Sequence, residues 1–287
     1  MAIVYAFCCL FFAALNDFVF KLYARKLRSR GIFVFWVGVC FFCLLLLLPR
    51  NPEADYAVTL TWGLLSGFFS AAGNILLIEA MGLQSAGLCS TIYRLNLVLV
   101  VPGAMLLFGE RLSWLQGGGV LLALAAILAF MPQREKNAAA NSAGKGSRLG
   151  FFLVLLAAAL RAGMGLSYKY AFSHGADKNT LTQLNALMWI AGGLAYALLW
   201  EKKYAFAEKD VLRYGLLSGM LVSAIVFFMA GMLHLPEGAA SVLLPIAQMS
   251  FLGTFVLGLV FLREKADRKQ VLALLCGACA LVLLVKG

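Results

Sequence analysis

Long uncharged runs, separated by short clusters of charge, set the pattern of this chain. Positions 31–49, 60–78, 112–133, 180–200, 214–233 and 238–262 contain no Lys, Arg, Asp or Glu. Each run is close to the ~20 residues that a helix needs to cross ~30 Å of hydrocarbon. Extending this criterion along the chain predicts ten segments, at 2–22, 31–49, 58–80, 86–108, 112–132, 149–172, 179–200, 211–233, 238–262 and 269–286. Inside lipid, only helices and closed barrels satisfy the backbone. No period-two alternation is sustained here, so an all-α integral membrane protein is expected. The first segment has no basic stretch before it and is expected to be a true span rather than a cleaved signal.

The segments repeat. "GLLSG" occurs at 63–67 and again at 215–219, an offset of 152. Before it, "FVFKLYA" (18–24) matches "LSYKYAF" (166–172), with Lys21 over Lys169 at an offset of 148. After it, "FGERLS" (108–113) matches "LREKAD" (262–267), with Glu110 over Glu264 at an offset of 154. Three matches in one order, with offsets drifting as loop insertions would make them, indicate a duplication. Each half then holds five helices, at 1–131 and 149–287, joined by a linker at 132–148 rich in small and polar residues. An odd number of crossings inserts the second half upside down. This is the inverted-repeat architecture of many secondary transporters, whose substrate sits near the midplane between the halves.

Composition agrees with a lipid environment. The chain is 63% hydrophobic and 13% charged, against about a quarter charged in soluble domains. The net charge of +11 comes from Lys and Arg flanking the apolar segments, so nucleic acid is not expected as a partner. Cys40/Cys43 and Cys276/Cys279 have CxxC spacing but lie in apolar runs without a nearby His; they are expected as small helix-contact residues rather than metal ligands. No cofactor is expected.

Two five-helix repeats, a Lys closing the first helix of each, and a Glu beside a basic residue between the last two helices resemble the drug/metabolite transporter superfamily in its EamA-like branch. The segment 238–264, with Pro245, resembles that branch's ninth helix; its first-half counterpart, 86–110, has Thr91 at the position of the proline. The resemblance implies a carrier for amino acids, other polar metabolites, sugar phosphates or nucleotide sugars, in a bacterial plasma membrane. It also implies cytoplasmic termini. The basic residues point the other way: 16 Lys and Arg fall in odd-numbered loops and 4 in even-numbered loops and the C-terminus, which puts both termini outside by the positive-inside rule.

Polar groups inside the segments are the candidates for function, because an ionisable residue at mid-membrane costs roughly 2.5–3.5 kcal/mol on the insertion scale and usually faces a cavity. The substrate-binding candidates are Asn16, Asp17, Lys21, Asn74, Tyr93, Arg94, Arg161, Tyr168, Lys169, Asn185 and Gln248; Asp17 and Glu79 are the candidates for proton coupling. Arg94 and Arg161 stand out, one in each half. Arg stays charged and offers a planar fork that fits a carboxylate or phosphate. The alternative for each is an internal ion pair with Asp17 or Glu79. Cations outnumber acids in the segments, so an anionic or zwitterionic cargo is expected, with Arg94 and Arg161 binding it together. The paired glycines of GLLSG have small-xxx-small spacing that allows close helix approach. Pro102 and Pro245 are expected to open the helix ladder beside the cavity. His234 and Glu237 read as ordinary turn residues.

The leading expectation is therefore a secondary active transporter of a small polar metabolite by alternating access. Its partners would be that solute, the bilayer, and a coupling proton or exchanged solute. A flippase component for lipid-linked substrates, from the same superfamily, is the alternative within transport. A membrane enzyme or scaffold is a remote one: no HExxH, GxSxG or phosphate loop occurs, and the chain has only two His.

Overall fold

The computed structural model describes residues 1–24, 28–83, 86–129, 145–262 and 268–287. These residues are helical throughout apart from turns and short loops. The helices are α1 (Ala2–Ala24), α2 (Arg30–Leu45), α3 (Tyr56–Leu83), α4 (Ala86–Arg94), α5 (Leu97–Phe108), α6 (Trp114–Ala129), α7 (Lys145–Ser173), α8 (Lys178–Ala195), α9 (Lys209–His234), α10 (Ala240–Gln248), α11 (Ser250–Leu262) and α12 (Arg268–Lys286). A π-turn, Tyr196–Trp200, prolongs α8. Eight stretches are long and apolar enough to cross a membrane, and α2 and α6 are shorter apolar helices. Taken as continuous spans, α4/α5 and α10/α11 count once each, giving ten crossings. The protein is a multi-pass integral membrane protein. α7 starts at Lys145, inside the stretch expected as linker; the remainder of that linker, 132–144, lies outside the described residues.

The helix contacts obey the repeat. α1 lies along α9, and its counterpart α7 lies along α3. α2 packs on α8 and α9, while α8 packs on α2 and α3, and α6 pairs with α12. Exchanging the halves turns each of these contacts into another member of the set. The twin motifs do equivalent work. A Cβ on Gly67 would stand 2.9 Å from the Asn185 Cα on α8, and one on Gly219 would stand 2.5 Å from the Cys40 Cβ on α2. In each half, then, GLLSG lets the third helix of one repeat press on the second helix of the other. Small residues at helix crossings permit such approach in membranes, where lipid is as apolar as the side chains and close van der Waals contact has to drive association.

Two segments expected to be continuous are broken. Bonds between residues three apart carry the chain through both breaks: Leu95 N donates to Ile92 O (3.0 Å) and Val98 N to Leu95 O (3.0 Å) in the first, Met249 N to Ile246 O (3.1 Å) and Leu252 N to Met249 O (3.0 Å) in the second. Pro245 lies just before the second break, but the first has no proline before it, and α5 continues through Pro102. Pro102 therefore does not mark the opening expected there.

The ends of the helices are tied by polar side chains of other segments. Glu201 accepts bonds from Ser29 Oγ (2.5 Å), Arg30 N (2.8 Å) and Gly31 N (3.2 Å), closing the start of α2. Glu110 does the same for α10, accepting from Ala240 N (2.8 Å) and Ser241 N (2.7 Å). A carboxylate at a helix N-terminus satisfies free N–H groups and opposes the helix dipole.

Candidate functional site

The two breaks meet at the centre of the molecule, and Arg94 joins them. In a regular helix the Gln248 carbonyl would accept from Leu252 N four residues on. That N–H goes to Met249 instead, so the carbonyl is left without its helical partner. Arg94 Nη1 fills the gap, donating to Gln248 O (2.9 Å) and to Ser250 Oγ (2.7 Å). Arg94 Nη2 forms an ion pair with Asp17 of α1. Asp17 Oδ2 also lies 3.4 Å from Ser250 Oγ and 3.5 Å from Thr254 Oγ1. Above the guanidinium is the Phe251 ring, 5.6 Å to its centroid. Arg94 is 9% exposed. One cation is thus held by a carboxylate, a hydroxyl and a freed carbonyl from α1, α10 and α11, which supply most of its hydrogen-bonding needs.

Arg161 is different. It lies near the middle of α7, where the side chain cannot reach either membrane surface easily, and its Nη1 contacts Met164 Sδ at 3.3 Å. Among the described residues it has no carboxylate partner. Tyr168 lies about two turns further along α7, and Tyr93 is on α4, which packs against α7. Tyr168 is fully buried and accepts a hydrogen bond from Asn185 Nδ2 (2.8 Å). Among the described residues, the Oδ1 of that Asn185 has no partner. Nor, among them, does either side-chain atom of Asn96, which lies in the first break and is 1% exposed. Leaving such atoms unpaired costs about 1–3 kcal/mol each, so a group from outside the chain would be favoured at these positions.

The other residues singled out in the sequence divide clearly. Asn16 accepts from Ser218 Oγ (2.6 Å) and joins α1 to α9. Asn74 bonds back to Ser70 O (2.8 Å) in its own helix. Gln248 takes part through its main-chain carbonyl. Lys169 sits near the end of α7 and donates to Gly238 O (2.5 Å). The side chain of Lys21 lies outside the described residues. Glu79 is far along α3, paired with Arg30 (2.7 Å) and accepting from Tyr196 of the π-turn. Of the two acids named for coupling, Asp17 is in the central cluster and Glu79 is at the end of the bundle. Sequence reasoning counted Asn96 among the polar groups of the fourth segment but left it out of the binding set, and it passed over Ser250 and Thr254. The repeat offset of 154 puts Asn96 over Ser250, a signal that both mark corresponding breaks.

Comparison with known proteins agrees with this architecture. Residues 1–131 match the model of the EamA-like transporter family, which belongs to the drug/metabolite transporter superfamily. No curated protein matches the chain by sequence. A solved crystal structure of a protein superposes with a TM-score of 0.75 at 12% identity, covering 98% of this chain and 95% of that one. That likeness extends the shared fold across both halves.

Proposed function

We propose that this chain, whose residues 1–131 match the EamA-like transporter family model, is a secondary active transporter of the bacterial plasma membrane for a small carboxylate-bearing metabolite, an amino acid or organic acid. The observation that carries this proposal is Arg161: a permanent cation in mid-membrane without a carboxylate partner among the described residues. A cation in hydrocarbon is costly, and a cargo carboxylate in bidentate contact with the fork would offset that cost. Tyr168, on the same helix, and Asn185, which donates to it, would add hydrogen bonds to that cargo. Arg94 has a separate role: paired with Asp17, it holds the two broken helices together on one side of the pathway. Alternating access then consists of the halves rocking about these breaks, where the helix ladder is already interrupted.

The test is uptake by purified protein in liposomes over a panel of amino acids, organic acids, organic phosphates and organic cations. Saturable uptake of one or more carboxylates, competed by other carboxylates, is expected. Transport restricted to cations or neutral sugars would overturn the proposal.

A further inference from the structure

The membrane face that bears both termini is poor in basic residues; Arg50, Arg111, Lys178 and Lys286 are all that the sequence assigns to it. Two of these four line one cavity. It has a volume of about 250 Å³ and is bounded by Arg50, Asn51, Asp177, Lys178, Asn179 and His234, among others. Its walls come from the α2–α3 loop, the α7–α8 turn and the end of α9. The first two are stitched together: Asn179 Nδ2 donates to Pro49 O (2.6 Å), Asn51 N to Asp177 Oδ2 (3.3 Å), Asp55 N to Gly175 O (2.9 Å) and Asp177 N to Thr59 Oγ1 (2.9 Å). The one acid in the lining is engaged, since Asp177 caps α8 by accepting from Thr180 N (2.7 Å) and Thr180 Oγ1 (2.5 Å). Among the described residues Arg50 reaches only Gln183 Oε1, at 3.5 Å, and Lys178 Nζ lies 5.3 Å from the centre of the Phe227 ring. Neither cation has a carboxylate partner among the described residues.

We propose that this cavity is an anion-binding antechamber, which collects small carboxylates from solution on that face and delivers them toward Arg161. The link is a row of rings. His234 meets Phe172 edge-on at 5.5 Å, Phe172 lies 5.7 Å from Tyr168, and Tyr168 is about two turns along α7 from Arg161. Phe172, largely buried, stands between His234 of the cavity lining and Tyr168. A second cavity on the same face, about 380 Å³, is lined by Glu110, Glu237 and Lys169, with the N-terminal ammonium 3.6 Å from Glu237. Cation does not exceed acid there, so anions favour the first. Clefts lined by one sign of charge raise the local concentration of the opposite ion.

Delivery to Arg161 rests on the proposed carboxylate cargo; anion binding in the cavity does not, and it is read without any transport. A thiol is placed in the lining by Asn51→Cys and labelled with two small methanethiosulfonates, one bearing a sulfonate and one a trimethylammonium group. Labelling is quantified on the peptide containing position 51, so that native cysteines do not interfere. Relative to the same reagents on free cysteine, the sulfonate is expected to react faster. Adding Arg50→Gln and Lys178→Gln should shift the ratio by about tenfold toward the cation, and ~0.5 M salt should shrink it on the unaltered background by screening. A normalised ratio at or below one, or one that ignores both salt and the two substitutions, would overturn the antechamber. The salt measurement decides the matter if the double variant does not fold. A positive labelling result with no carboxylate uptake would leave the antechamber standing and sink the cargo proposal instead.

Discussion

At the break between α4 and α5 the chain carries Arg94, Leu95 and Asn96; in register at the break between α10 and α11 are Gln248, Met249 and Ser250. The backbone does the same thing in both places, passing through bonds between residues three apart. The side chains do not. The first break contributes a guanidinium, and the second contributes the hydroxyl and the freed carbonyl that receive it. The acid follows the same asymmetry: the offset of 148 puts Gly165 over Asp17, and Ala13 under Arg161. A symmetric frame therefore supports two arginines of opposite fate, Arg94 buried and Arg161 half-buried. Arg94 is paired within the fold with Asp17, whereas Arg161 contacts Met164 Sδ and has no carboxylate partner among the described residues. The difference separates an arginine with a carboxylate partner from one without such a partner among the described residues, although both look alike as letters in an apolar run.

The largest effect should come from breaking the pair on the structural side. Arg94→Gln strands the Asp17 carboxylate, and Asp17→Asn strands the guanidinium. Each should cost about 1–3 kcal/mol of stability, less than for a fully buried pair because Asp17 is half-buried. The double variant should recover much of that loss, as read from denaturant unfolding in detergent. Strictly additive losses would mean that the two side chains do not interact. A smaller effect of opposite sign is expected on the ligand side. Asn96→Leu removes two unpaired polar atoms and should raise stability by about 1 kcal/mol, while slowing carboxylate uptake several-fold. A drop in stability would show that the amide has a partner within the fold.

Much of this frame is legible in the sequence. The uncharged runs set the helices, and the three offset matches set the halves, because lipid leaves few ways to satisfy a backbone and duplication leaves a register. The two GLLSG motifs foretell the close helix contacts, since only small residues allow them. The breaks were less legible. Proline suggested openings at Pro102 and Pro245, yet α5 runs through Pro102, and the first break falls at Leu95 and Asn96 with no proline before it. Which arginine would be paired was equally hidden. Asp17 and Glu79 were the available acids in the sequence, but their reach depends on helix rotation: Glu79 turns to Arg30 and Tyr196 at the bundle end, and Asp17 turns inward to Arg94. The basic cavity was invisible for a similar reason, as Arg50 and Lys178 lie in loops far apart in sequence that the fold stitches together.

The distinction between the two arginines is tested most directly at position 161. Wild-type, Arg161→Gln and Arg161→Lys proteins would be reconstituted at equal amounts of folded protein, and counterflow of the best carboxylate substrate measured. If Arg161 binds the cargo, the Gln variant should lose about 100-fold or more in rate while its unfolding midpoint stays near wild type. The Lys variant should recover only a small part, because an ammonium cannot reproduce the two-pronged contact. Wild-type counterflow in the Gln variant, or a loss that merely tracks unfolding, would contradict the assignment and return Arg161 to the ranks of structural residues.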